Sequence, residues 1–409
     1  MTSSSPHPTP RRHPTTPGIT PLLAVTCAVA VGNLYFPQAL VPLIATGLHM
    51  PPDAAATVVT ATQLGYTAGI VLLVPLGDRL PNRPLLVALL GLTGLALLTA
   101  GCAPALPVLV AASAAVGLTT VAAQVVGPLA AGLTAPDRQG AVIGVLLSGS
   151  TAGMLLARTF SGTLGSWLGW RAPYLVAATA ALLLAAVLAV AVPTTIPTSR
   201  RPYPALLLEP LRLLRTEPEL RRSSLYQATV FAGFSAVWTT LALLLTGPAY
   251  RLGTPAVGLL ALVGAATVCC TPYAGRLVDR HGPDPVNLVC LLGALASAAV
   301  LLPGAAGGPL GLAALVLGTL LLDVAMQCGM VASQARVYAV RPEALGRLKT
   351  AYMTCAYLGG SAGSWLGVRI WVLAGWWGVC TLLALLATLA LARHLLATRT
   401  TARATTLSR

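Results

Sequence analysis

Charge is what this chain has least of. Only 9% of its residues are charged, where a soluble domain carries about 25%, so a water-exposed surface cannot be built from it. Acid is scarcer than base: ten Asp and Glu stand against 25 Lys and Arg in 409 residues. The five histidines (His7, His13, His49, His281, His394) are scattered, without the spacing of a metal site. The eight cysteines fall within apolar runs, which predicts small packing residues rather than a disulfide framework. Lysine occurs once, as Lys349, and no G-x4-G-K-[ST] loop exists, which argues against direct ATP drive. Acids and histidines are too few for a nucleophile–base pair or a metal set in the membrane. The expectation is no enzyme, no cofactor and no metal. The tails and central loop are too short for the output domain of a sensor. One apparent exception, Gly359-Gly360-Ser361-Ala362-Gly363, matches G-x-S-x-G. That elbow needs a strand–turn–helix and a His partner, whereas this one lies in an apolar run suited to close helix packing.

What the chain has is apolar length. It is 56% hydrophobic, with a mean hydropathy of +0.81. Runs of about 20 apolar residues cross a bilayer as helices. Twelve are present: 21–46, 54–77, 84–102, 107–132, 140–166, 172–193, 222–247, 255–277, 285–304, 308–338, 346–369 and 371–396. With both termini in the cytoplasm, 21 of the 25 basic residues lie on cytoplasmic tails and loops. Arg171, Arg251 and Arg369 are outside, and Arg158 is embedded. That asymmetry sets orientation. The net charge of +15 therefore reflects topology and affinity for anionic lipid, not nucleic acid. The Pro/Ser/Thr-rich segment 1–20 is expected to be a retained, disordered cytoplasmic tail.

The stretch 194–221 is the expected cytoplasmic linker between two bundles, 21–193 and 222–396, with 397–409 as a second tail. The halves echo one another. Asp78-Arg79 after the second span matches Asp279-Arg280 after the eighth. Asp137 and Gly140 match Glu343 and Gly346, and Gly169-Trp170 matches Gly375-Trp376. Parallel six-span repeats place a substrate site between the halves near mid-membrane.

On these residues the chain resembles the major facilitator superfamily. The loop signature G-x-L-x-D-R-x-G-R-R/K survives as Gly275, Leu277, Asp279, Arg280 and Gly282. In the first half it is reduced to Leu76, Asp78, Arg79 and Arg83. Part of an antiporter signature is present as Gly144, Gly153 and Gly162, with Ala157-Arg158 where the pattern has Gly-Pro. NLYFPQALVPLIA, TQLGYTAGIVLLVPLGDRL and LLARTFSG look like bacterial drug, sugar or nucleoside exporters. The resemblance implies an all-α polytopic membrane protein of twelve transmembrane helices in two pseudo-symmetric six-helix bundles. It would work by alternating access in the bacterial plasma membrane, as a monomer, on a small solute and protons. It also implies a cytoplasmic latch of Asp78, Arg79, Arg83, Gly275, Asp279, Arg280 and Gly282. A facilitator or proton-coupled importer of the same fold stays open, because sequence does not give direction.

Two ionised residues sit inside apolar runs, Asp323 in the tenth and Arg158 in the fifth. A charge in hydrocarbon is costly and usually functional. Asp323 shares a helical stripe with Gln327, Met330 and Gln334 within about 40°. An apolar setting favours a neutral acid and a nearby cation favours its carboxylate, so Asp323 is the candidate for proton coupling; the alternative is a structural acid. Arg158 stays charged in proteins, so it is a counter-ion or substrate-orienting residue, or else a packing cation. The usual helix-4 arginine is absent, with Ser113 four residues before Gly117. Polar candidates for the cavity are Asn33, Tyr35 and Gln38 around Pro37, then Gln63, Tyr66, Gln124, Gln227, Trp238, Gln327 and Gln334. The alternative for each is interhelical hydrogen bonding, worth about 0.6 kcal/mol. Together they suggest a neutral, polar or amphipathic solute.

Overall fold

The structure, a computed structural model, describes residues 19–134, 139–194, 202–341 and 344–407. Among them every regular element is a helix. Pro37 cannot donate to the preceding turn. The first span is accordingly two helices, α1 (Ile19–Tyr35) and α2 (Pro37–Gly47), bent by 44°. The second span is α3 (Pro52–Leu72), followed by a tight 3₁₀ turn over Val74–Asp78. The third is α4 (Asn82–Gly101), and the fourth is divided into α5 (Leu106–Thr119) and α6 (Ala122–Leu133). The fifth and sixth are α7 (Gln139–Leu168) and α8 (Arg171–Ala191).

The region read as a linker holds a helix of its own, α9 (Tyr203–Thr216). After it come α10 (Pro218–Thr246), then α11 (Thr254–Val263) and α12 (Thr267–His281) separated by a 3₁₀ turn at Gly264–Ala266. Two long helices follow, α13 (Pro283–Leu301) and α14 (Gly308–Val340), before α15 (Leu345–Leu407). Straight, 63 residues would run about 95 Å, three times the bilayer core of about 30 Å. Gly375, at φ 60° and ψ −153°, breaks α15 into two spans. Among the described residues nine helices are long and apolar enough to cross, ten with α1 and α2 taken as one span. Dividing α15 and joining α11 to α12 completes the expected twelve.

Within the first six spans α1 packs on α7, α3 on α5 and α4 on α8; within the last six α10 packs on α15 and α13 on α14. The internal repeat reappears as a packing pattern. A Cβ at Gly149 or Gly153 would fall 2.5 or 2.1 Å from the carbonyl oxygens of Ala24 and Ala28. One at Gly359 or Gly363 would fall 2.2 or 2.0 Å from those of Ala228 and Ala232. The G-x-S-x-G stretch is thus a helix-packing face of α15 on α10. The described cysteines are free. Cys102 departs from expectation: it caps the end of α4 and is exposed, instead of lying inside the span.

Candidate functional site

Three helices bring the embedded charges to one place. Arg158 of α7 and Trp238 of α10 are wholly buried, and Asp323 of α14 is 3% exposed. The Trp238 indole N–H donates to Asp323 Oδ1 at 3.0 Å. Arg158 Cζ lies 4.1 Å from the Trp238 ring centroid. One indole therefore stands between the two charges, its edge on the acid and its face on the guanidinium, and no Arg158–Asp323 salt bridge forms. A desolvated cation–π contact of this kind stabilises by about 2 kcal/mol. Arg158 Nε also donates to Gln38 Oε1 at 2.8 Å, and the Tyr35 and Phe234 rings lie 5.1 and 5.6 Å away. Its two terminal nitrogens, Nη1 and Nη2, have no hydrogen-bond partner.

The acid also meets the broken eighth span. A Cβ at Gly264 would stand 2.6 Å from Asp323 Oδ2. Only glycine lets that backbone press against the carboxylate.

Below this cluster a cavity of about 320 Å³ separates the first six spans from the last six. Of the ten polar candidates, Tyr35, Tyr66, Gln124, Gln227, Gln327 and Gln334 line it. Gln124 Nε2 donates to the Tyr66 hydroxyl at 3.0 Å, and Gln227 Oε1 accepts from Tyr352 at 3.1 Å. The other four candidates do not reach the cavity wall. Asn33 donates to Thr120 at 3.5 Å within the first half, and Gln63 donates to Ser235 across the halves at 3.5 Å. Gln38 is taken by Arg158, and Trp238 by Asp323. Aromatic rings close the inner wall, with Tyr357 4.5 Å from Tyr66 and 5.1 Å from Phe231, centroid to centroid.

The two ends of this interface differ. At the end opposite α9, the Thr159 hydroxyl donates to Gly258 O at 2.8 Å and the Thr254 hydroxyl to Gly162 O at 2.9 Å. These bonds join α7 to α11, and Thr60 of α3 reaches Ser364 of α15 at 3.4 Å. At the other end the cavity meets a smaller hollow bordered by Leu206 and Pro210 of α9, with Gln124, Lys349 and Met353 common to both. There α9 touches both halves: the Tyr203 hydroxyl donates to Leu72 O at 2.5 Å, and Glu209 pairs with Arg347. Beside it, Arg222 and Arg336 converge on Asp284 and Glu219, with His394 Nδ1 4.0 Å from Asp284 Oδ1.

Among the described side chains of the expected latch, no bridge between the halves is seen. Arg83 bonds the Ala189 carbonyl at the end of α8, in its own half. Arg79, Asp279 and Arg280 are exposed and bridge nothing among the described residues. Gly275 has open space around it, and Gly282 takes the left-handed φ of 80° between α12 and α13. The Asp78 and Gly140 side positions, Asp137 and Glu343 lie outside the described residues.

Sequence reasoning missed α9, the α7–α11 contact and Lys349. The amphipathic spacing of Leu206, Pro210 and Leu213, the buried face of α9, was a readable signal for the first. For Lys349 the signal was its solitude.

A sequence profile described as the Major Facilitator Superfamily matches residues 22–364. The chain is 34% identical over 371 residues to the "Uncharacterized transporter YgaY" of Escherichia coli O157:H7, covering 90% of this chain and 92% of that one. It is 31% identical over 276 residues to a "Chloramphenicol resistance protein" of Streptomyces lividans, covering 67% and 69%. In fold it is similar to the crystal structure of the nucleoside transporter NupG, with a TM-score of 0.73 at 12% identity over 92% of this chain and 99% of that one.

Proposed function

The chain belongs to the Major Facilitator Superfamily and is a multi-pass membrane transporter, and from that premise we propose that it exports a small polar or amphipathic solute in exchange for protons. The supporting observation is the Asp323–Trp238–Arg158 cluster, placed between a closed end and an open cavity. On the positive-inside orientation the α9 end is cytoplasmic, so the cavity faces the cytoplasm of a bacterial cell and the α7–α11 contact closes the outside. Both termini are then cytoplasmic.

Asp323 is the proton carrier in this reading. As a carboxylate it holds the indole N–H in a charge-assisted bond, and the indole holds Arg158. Protonation weakens that bond and frees Trp238 to move. The movement has a short route to the outer closure. Arg158 precedes Thr159, whose hydroxyl bonds Gly258, and Gly264 of the adjoining turn rests on the acid itself. Opening outside and closing inside would then bring Asp78, Arg79, Asp279 and Arg280 together as the latch, a carboxylate at a helix N-terminus gaining about 0.3–1 kcal/mol. The chloramphenicol resistance relative adds weight to export over import.

The test is Asp323→Asn in inverted membrane vesicles, with an imposed pH gradient and a panel of candidate drugs, sugars and nucleosides. Gradient-driven accumulation should fall to background while solute binding survives. Full accumulation by the variant would overturn the assignment.

A further inference from the structure

The cavity carries a positive charge that no described acid side chain answers. Lys349, the only lysine of the chain, stands one turn into α15 and lines both the central cavity and the hollow under α9. Every other Lys or Arg of the chain is arginine, and Lys349 differs from the loop charges in lining the cavity. The acids whose side chains are described are all accounted for elsewhere. Glu209 pairs with Arg347, Glu217 with Arg341, and Glu219 and Asp284 with Arg222 and Arg336. Asp323 is on Trp238, Asp53 opens α3 at the opposite end, and Asp279 is exposed on α12. None forms a salt bridge to Lys349.

A second observation points the same way. Arg158 is wholly buried with both terminal nitrogens unpartnered, and Tyr35, a cavity-wall residue, lies 5.1 Å from it. Unanswered cations thus stand at the mouth and behind the inner wall. Between them the wall is apolar and polarizable: Met154, Met326, Met330 and Met353 line it, four of the six methionines in the chain. Tyr66 and Tyr357 add ring faces. Flexible thioethers adapt to varied apolar shapes and contact aromatic rings favourably.

We infer that the cavity takes an organic monoanion, a carboxylate or an acid of similar charge on an aromatic or apolar body, with its charged group paired to Lys349. The inference rests on the transport reading above and narrows its solute class. Buried charges must be paired to be tolerated, and here the cargo supplies the pair. A neutral isostere of the same body would leave the ammonium unanswered and bind more weakly. Arg158 offers the next anion site inward, open to the cargo once Tyr35 and Trp238 move.

A single lysine makes the test direct. The full-length protein in detergent is treated with an amine-acylating reagent, and modification of Lys349 is read by peptide mass spectrometry, which separates it from the amino terminus. 1-Naphthoate should protect Lys349, and 1-naphthamide, the same ring without the charge, should protect about tenfold less well or worse. In proteoliposomes Lys349→Gln should lose naphthoate transport and Lys349→Arg should keep much of it, with matched melting curves confirming that both variants fold. Equal protection by the two ligands would overturn the inference, as would undiminished naphthoate transport by Lys349→Gln. Protection by phosphatidylglycerol vesicles but not by naphthoate would assign the cation to lipid and also overturn it. Failure is separable from failure of proton-coupled export. Protection needs no gradient, so an anion that protects Lys349 but is not driven by a pH gradient sinks only the coupling. Gradient-driven export by the wild type of 1-naphthamide as well as 1-naphthoate sinks only the anion.

Discussion

The two ends of the interface between the halves are built from different chemistry. Opposite α9, α7 and α11 meet through threonine hydroxyls on glycine carbonyls, with no formal charge. At the α9 end the contacts are ionic and stay on one side: Glu209 with Arg347 and Glu217 with Arg341 at 2.7 Å tie the α9 region to the second half, and the Arg222–Asp284–Arg336 group lies within that half. Neutral interhelical bonds average about 0.6 kcal/mol each, so a closure made of two or three of them opens at low cost. Buried guanidinium groups released from their acids would cost far more. The difference assigns the moving contact to the uncharged end, which alone of the two sets crosses between the halves, while the charged contacts hold the second half and α9 as one piece. On the mechanism proposed above, Trp238, mid-span, is where a proton on Asp323 would reach the former.

The largest effect should follow from cutting that connection. Trp238→Phe keeps a ring under Arg158 but removes the donor to Asp323, a loss of about 3 kcal/mol for a bond to a charged group. Proton-driven transport should drop to near background, while the solubilised protein still elutes as a folded species on size-exclusion chromatography. Retained coupling would detach the acid from the outer contact.

Next comes Gly258→Ala. Its Cβ would meet Thr159 Cα at 2.5 Å, and overpacking of this kind costs about 2 kcal/mol. Spin labels placed on α7 and α11 near that end should report a longer mean distance, with the outward-open population raised. An unchanged distance distribution would show that closure is held elsewhere.

Asp284→Asn attacks the charged end. Arg222 and Arg336, at 6% and 7% side-chain exposure, lose a partner that is itself 44% exposed. Solvent near Asp284 reduces the cost to about 1 kcal/mol. A lower melting temperature with an unaltered α7–α11 distance is expected. A change in that distance would mean that the two ends are not specialised as described.

The smallest effect belongs to Thr159→Val, which deletes one hydroxyl at nearly constant shape. A shift of about 0.6 kcal/mol, roughly threefold in the open-to-closed ratio, should be seen by the same spin-label pair in the same direction as Gly258→Ala.

Much of this architecture is written in periodicity and composition. Apolar run length marks the spans, Pro37 marks the bend in the first, and the paired Asp-Arg signatures mark the repeat. Helical phase placed Gln327 and Gln334 on the cavity side of α14, because side-chain direction along one helix is a local property. The relation of Arg158 to Asp323 was not legible. Each stripe could be drawn on its own helix, but which indole would stand between them depends on how α7, α10 and α14 cross. The break at Gly264–Ala266 was hidden in a run that reads as uninterrupted apolar helix. Lys349 was visible as a letter, but that no described acid side chain pairs with it is a fact of three dimensions.

The uncharged closure has an environmental consequence. Salt acts on proteins mainly by screening charge, over about 8 Å at physiological ionic strength and about 3 Å at 1 M. Thr159, Gly258, Thr254 and Gly162 give such screening nothing to act on. If α9 faces the cytoplasm, the ionic contacts sit in the regulated salinity of the cell, and the α7–α11 bonds that close the other side are indifferent to fresh water or brine. A bacterium cannot choose the salt around it, and this gate does not ask it to.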